Sequence, residues 1–247
     1  MKAFAKQMRQ DLVRRDALVA NAGISRNRYY LAEGLERTLT INVVSTFLLS
    51  MLSLPLLRHT SETYKMQTHL TIVGSNVHCF ADHAQLQACR SGQRLQELSD
   101  EEKADMAARY FLSKLVVILC ARKLATTSTR MNHSSQDQRT AVIVNCPSPG
   151  WCKMAWCRQD DGGFWGRNML RLIGRSPEVG ARTLTSAIVA GSDTHGQYVS
   201  ECRVKPASVF VRSRQGERLQ REIWAELVDI IRGISPEAAS ECDEQGR

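Results

Sequence analysis

Apolar residues recur every three or four positions across residues 107–123. Phe111, Leu115, Ile118 and Leu119 form one stripe, uninterrupted by Gly or Pro. That spacing predicts a helix. Helices are also predicted over residues 2–15, where Phe4, Met8 and Leu12 alternate with Lys and Arg, and over residues 215–231, which carry Leu219, Ile223, Leu227 and Ile230. Ser176-Pro177-Glu178 has the form of a helix start, a capping residue followed by proline, with the helix running to about Ala190. Short apolar runs closed by turn residues read as buried strands. They cover residues 16–20 before Asn21-Ala22-Gly23, residues 68–75, residues 141–145 before the rigid loop Cys146-Pro147-Ser148-Pro149-Gly150, and residues 196–202. Strands alternating with helices predict an α/β fold with a parallel sheet, whose ligands sit at the carboxyl ends of the strands.

Between these elements the pattern breaks. Residues 81–103 and 126–139 are polar and read as surface insertions. Residues 151–171 are aromatic-rich and irregular, with Gly162-Gly163 as a flexible point. The tail 235–247 is polar and expected to fray, which leaves residues 1–234 as one domain. Residues 39–57 contain no charge and meet the length criterion for a membrane span. Their Thr40, Asn42, Ser45, Thr46, Ser50, Ser53 and Pro55 favour a buried helix instead, because polar groups are costly in hydrocarbon.

Composition narrows the function. The chain has 247 residues, 43% hydrophobic and 23% charged, which is ordinary globular material. Its formal charge is +8, but the basic residues are scattered without interleaved aromatics, so nucleic acid is not an expected partner. None of the eight cysteines forms a C-x-x-C pair, and several lie in apolar runs. That pattern argues for a reducing, cytoplasmic setting and against a metal site. No signal-peptide core precedes residue 16.

The candidate chemistry lies on the first helix. Tyr110 and Lys114 are four apart, so their side chains share a helix face. A free phenol titrates near ~10, too high for easy proton exchange at neutral pH. An ammonium close by favours the phenolate, and a tyrosine so tuned can trade a proton with a carbonyl or an alcohol. The pair alone is a weak signal, and its context strengthens it.

That context resembles the short-chain dehydrogenase/reductase family, in the branch similar to retinol dehydrogenases and fungal enzymes. The matches fall in family order: Asn21-Ala22-Gly23 after a strand, Asn42 in Ile41-Asn42-Val43, Ser75 after Ile72-Val73-Gly74, Tyr110-x-x-x-Lys114 with Ser113, Pro149-Gly150, and Gly196-Gln197-Tyr198. The resemblance spans residues 2–232 and implies a Rossmann-like, doubly wound parallel sheet. It implies Tyr110 as acid/base, Lys114 as the group that lowers its pKa and holds the nicotinamide ribose, Ser75 as hydrogen-bond partner of the substrate oxygen, and Asn42 as holder of a relay water. Asn21, Ala22, Gly23, Pro149, Gly150 and Cys152 would contact an NAD or NADP cofactor. The implied substrate is a bulky apolar alcohol or ketone, plausibly in secondary-metabolite biosynthesis, and a homodimer through the helices of Asn42 and Tyr110 is implied as possible.

Departures from the family pattern matter as much. No Gly-rich strand–turn–helix cradle for a pyrophosphate occurs, so the fold is expected to lack its N-terminal nucleotide-binding strands and to bind NAD(P) poorly. A catalytically inactive remnant, or an interaction module, is the competing expectation. Gly74 replaces a serine often found before Ser75. Met154 replaces a threonine that donates to the cofactor, which a thioether cannot do.

Overall fold

The computed structural model describes residues 1–132, 142–152 and 174–242. Chain order begins with helix α1 (Lys2–Asp11), strand β1 (Ala17–Ala20) and a short hairpin, β2 (Leu31–Ala32) and β3 (Leu35–Glu36). A continuous helical stretch follows, made of α2 (Arg37–Leu39), a π turn (Thr40–Ser45) and α3 (Thr46–Tyr64). Then come β4 (Thr68–Ile72), a 3₁₀ turn (Asn76–Phe80), α4 (His83–Ala88), α5 (Arg94–Glu97) and the long α6 (Arg109–Asn132). The chain continues with β5 (Val142–Ser148), α7 (Pro177–Ala187), β6 (Tyr198–Ser200), β7 (Arg203–Val204), α8 (Arg214–Ile234) and α9 (Pro236–Ser240).

Among the described residues the main sheet has the order β1-β4-β5-β6-β7. Pairing is parallel from β1 through β6, and only β7 is antiparallel. Leu18 sits beside Leu70, and Leu70 beside Val144, so the apolar runs stack in register. Every residue of β4 and β5 is buried, the mark of parallel strands covered on both faces. The fold is therefore the expected α/β, Rossmann-like sheet. β1 pairs on one side only, and Ala17 is exposed. A cleft of about 460 Å³ runs along that edge, between Met8 of α1 and Leu12 just after it, the strand, and Leu56 and Leu57 of α3.

The core joins three helices to the sheet. Leu39, Phe47, Met51 and Leu54 come from the first helical stretch, Leu115, Ile118 and Leu119 from α6, and Ile223 and Leu227 from α8. Phe47 meets Trp224 of α8 edge-to-face at 6.1 Å. Residues Arg37–Tyr64 are long and apolar enough to cross a membrane, but 72% of the apolar window is buried inside the fold. This is the buried helix the polar positions favoured.

Three expectations need correction. The tail does not fray at residue 235: α9 forms, Ala238, Ala239 and Cys242 are buried, and Arg58 and Arg9 pair with Glu241 and Glu237. Ser235-Pro236-Glu237 repeats the start signal of Ser176-Pro177-Glu178, and two small alanines suffice to dock a short helix. Residues 81–103 are more than a surface insertion. Leu86, Leu95 and Leu98 are buried, and the Glu226 carboxylate on α8 accepts the amides of Arg94 and Leu95 at 2.9 and 2.7 Å. The insertion at 126–139 begins as helix, since α6 continues to Asn132. Residues 133–139, Met154 and Gly162-Gly163 lie outside the described residues. Within the chain, α6 packs on α8 and α3 on α9.

Candidate active site

Each catalytic candidate stands where one of these elements ends or bends. Asn42 lies in the π turn, a widened helical turn often found at functional positions. It is 1% exposed, and all its hydrogen-bonding capacity points across the chain. Its Oδ1 accepts the amide of Ile24 at 2.8 Å, and its Nδ2 donates to the Ile24 carbonyl at 2.8 Å and to Ser113 Oγ at 3.0 Å. Ser113 Oγ in turn donates to the Tyr110 carbonyl at 2.8 Å. A single amide thus ties the loop after β1 to the helix that carries Tyr110 and Lys114.

Lys114 runs inward. Its Nζ donates to the Val73 carbonyl at 2.8 Å, two residues before Ser75, and lies 5.9 Å from the Tyr110 ring centroid. The side chain is 6% exposed, and burial lowers its pKa from 10.5 to about 8. Cys146 is its nearest ionisable neighbour, but burial pushes that thiol up to about 12, so it stays neutral beside the amine. Val73 is the only hydrogen-bond partner of Nζ among the described residues, which leaves two of the three N–H donors for a ligand. Tyr110 is half-buried on the same face.

Gly23 faces this amine. A side-chain carbon there would stand 3.2 Å from Asn42 Oδ1 and 3.8 Å from Lys114 Nζ, so glycine keeps the space open. The role is close approach rather than an unusual backbone angle, because its φ is not positive. Asn21, Ala22 and Gly23 are all exposed at the carboxyl end of β1.

Ser75 follows β4 and is 8% exposed. Its Oγ accepts the Val77 amide at 3.4 Å and so caps the 3₁₀ turn, which packs on α6. The preceding strand ends are laced together: Gly74 donates its amide to the Pro147 carbonyl at 2.8 Å, and Asn76 donates its own to Ser148 Oγ at 3.0 Å. Gly74 is required where it stands, since a side-chain carbon would lie 2.7 Å from Cys146 Sγ. Cys146, 72 positions away, is the reason a serine does not fit there.

Pro149 and Gly150 sit at the end of β5, with Gly150 at φ +78°. Cys152, the other expected cofactor contact of this loop, is buried. Its thiol donates to the Pro149 carbonyl at 3.4 Å and occupies the space left by the missing side chain of Gly180 on α7. It packs the loop onto α7.

Two supports escaped the sequence reading. Arg109, next to Tyr110 and 1% exposed, donates to the Leu98 carbonyl at 2.6 Å and stands 3.6 Å from the Glu36 carboxylate. Glu36 caps α2 by accepting the amides of Thr38 and Leu39 at 2.7 and 3.3 Å. Together they fix the start of α6 beside the π turn. Charged residues in an apolar setting would have been the signal, but Arg109 reads as ordinary helix surface in the sequence.

The sheet and the clustered Asn42, Ser113, Tyr110 and Lys114 define a Rossmann-like chain with a tyrosine–lysine site. No protein-family model matches it. It is 35% identical over 244 residues to the short chain dehydrogenase/reductase dmxR8 of Cryptosporiopsis sp., which covers 97% of this chain and 72% of that protein. It is 34% identical over 240 residues to the short-chain dehydrogenase anuD of Penicillium roqueforti, covering 96% of this chain and 61% of that one. The chain thus spans from 61% to 72% of the length of these two relatives. Among solved structures it is similar to the carbonyl reductase Sniffer of D. melanogaster, with TM-score 0.53, 16% identity, and coverage of 84% of this chain and 72% of that one. It is also similar to the Pseudomonas aeruginosa RhlG/NADP active-site complex, with TM-score 0.54, 22% identity, and coverage of 81% and 69%. At these identities the structures show the fold alone. The chain belongs to the short-chain dehydrogenase/reductase family.

Proposed function

We propose that this chain carries the nicotinamide-side half of an NAD(P)-dependent oxidoreductase site, which interconverts an alcohol with a ketone or aldehyde on a bulky apolar substrate. The observation that supports it most is the meeting of Lys114 Nζ and Asn42 Oδ1 at Gly23, with the Tyr110 ring 5.9 Å from that amine and Ser113 joining Asn42 to the Tyr110 carbonyl. Lys114 has two N–H donors to offer, which fits a ribose diol, and Gly23 leaves room for it. Asn21, Ala22, Gly23, Pro149 and Gly150 lie at the strand ends where the cofactor would be held. A bound nicotinamide supplies hydride exchange; the protein supplies orientation and the proton.

The division of labour follows from the contacts. Tyr110 is the acid/base: it gives its phenolic proton to a carbonyl oxygen, or takes one from an alcohol. Lys114, with its pKa near neutrality, provides a positive charge beside the ring that favours the phenolate. Ser75 offers a hydroxyl to the same substrate oxygen. Asn42 holds the loop after β1 against α6, so the two strand ends keep their spacing. The similarly folded RhlG forms an NADP active-site complex, which supports a nicotinamide cofactor here.

A second reading rests on one observation: among the described residues none forms a Gly-rich cradle for a pyrophosphate. On that reading the chain is an inactive remnant or an interaction module. The test is ketone reduction by NADPH in the wild type and in Tyr110→Phe. Turnover that the variant loses supports the oxidoreductase; equal rates, or none in the wild type at millimolar cofactor, support the second reading.

A further inference from the structure

His78 follows Ser75 by three residues and is 2% exposed. Its Nδ1 lies 2.7 Å from the Ser75 carbonyl, and its Nε2 lies 3.0 Å from the Ser208 amide nitrogen. A carbonyl can only accept and a backbone amide can only donate, so both contacts require one species: the neutral ring with its proton on Nδ1. Burial lowers the pKa of this ring, in keeping with the neutral form.

The ring belongs to a closed circuit. It packs edge-to-face on Tyr198 of β6 at 5.1 Å. Tyr198 pairs with Cys146 of β5, two residues before Ser148 at the end of that strand. Ser148 Oγ accepts the amides of Asn76 and Gly150. The turn bearing Ser75 is therefore held on one side by the end of β5 and on the other by His78. Ser208 lies in the segment that links β7 to α8. That segment is pinned a second time, where Phe210 stacks on His83 of α4 at 3.9 Å between ring centroids.

We propose that His78 is a positioning residue. It clamps the Ser75 turn to the 207–210 segment and thereby holds the Ser75 hydroxyl at the substrate oxygen. This inference rests on the oxidoreductase reading, which gives Ser75 its role. The two ring nitrogens do separable work, so two substitutions dissect them. Asn reproduces the Nδ1 donor to Ser75 and is too short to reach Ser208. Gln places an acceptor near Nε2 for Ser208 and gives up the Ser75 contact.

The experiment uses the full 247-residue chain, with NADPH at millimolar concentration and an aromatic ketone as probe. His78→Gln and His78→Asn each cut one end of the clamp, and both are expected to lower kcat at least about tenfold with the cofactor KM unchanged. Hydrogen exchange reads the other nitrogen: the Ser208 amide is expected to be protected in wild type and in His78→Gln, and to exchange faster in His78→Asn. Equal kcat in all three proteins would overturn the positioning role. So would kcat losses in both variants that merely track lost thermal stability. Identical Ser208 exchange in wild type and His78→Ala would overturn the clamp. A wild type without turnover refutes the proposed function itself and removes the positioning role with it, while the exchange measurement still judges the clamp.

Discussion

Lys114 stores a measurable penalty. Burial takes its pKa from 10.5 to about 8, so the unfolded chain binds its proton more tightly than the fold does. The sign follows: below about pH 8 the folded lysine must be charged inside the protein, at a cost the unfolded chain escapes. As pH rises from about 8 to 10.5 the folded amine is neutral while the unfolded one still holds its proton, and stability from this group increases. At pH 7 the penalty is about 3 kcal/mol, from a shift of roughly 2.5 units at 1.36 kcal/mol each; by pH 10 about 1 kcal/mol remains. Lys114→Met removes the titration. The assay is urea unfolding of wild type and Lys114→Met at pH 7 and pH 10. Subtracting the two proteins cancels every other titrating group, and the wild type is expected to gain about 2–3 kcal/mol on the variant across that range. A difference independent of pH would refute the buried, depressed amine.

Other outcomes follow from single contacts. Gly74→Ser is expected to destabilise by about 1–3 kcal/mol through overlap with Cys146 Sγ, and Cys146→Ala to relieve most of that loss in a double-mutant cycle read by thermal unfolding. Asn42→Asp keeps the acceptor for the Ile24 amide but sets a carboxylate oxygen against the Ile24 carbonyl; a loss of about 3 kcal/mol in urea unfolding is expected, against no change if the amide is merely local filler. Ending the chain after Ser235 should lower the melting temperature by several degrees, because it strips α9 from α3; an unchanged midpoint would mean the tail frays after all.

Much of this was legible because local pattern and global fold agree. The apolar runs read at 16–20, 68–75 and 141–145 hold β1, β4 and the first part of β5, which runs on through Cys146-Pro147-Ser148 of the expected loop, and the three-and-four spacing at Phe111, Leu115 and Ile118 is the buried stripe of α6. Tyr110 and Lys114 share a helix face because four residues make about one turn. What escaped was long-range. Gly74 is set by Cys146, Ser113 acts through Asn42, and His78 acts through Ser208, 130 positions away. No spacing rule carries such pairs. The π turn at Asn42 was hidden for another reason: one added residue per turn leaves apolar periodicity intact over so short a span. Helix α9 was missed because its polarity outweighed its capping signal, although the same signal was read correctly at Ser176.

The central claim is that Tyr110, supported by Lys114, moves the proton in a nicotinamide-dependent reaction. It is tested most directly with reduced nicotinamide mononucleotide, which needs no adenosine-side contacts. Reduction of an aromatic ketone, followed by loss of the dihydronicotinamide absorbance, should occur in the wild type and fall at least about a hundredfold in Tyr110→Phe, the scale of a lost general acid. Equal rates in the two proteins would contradict it.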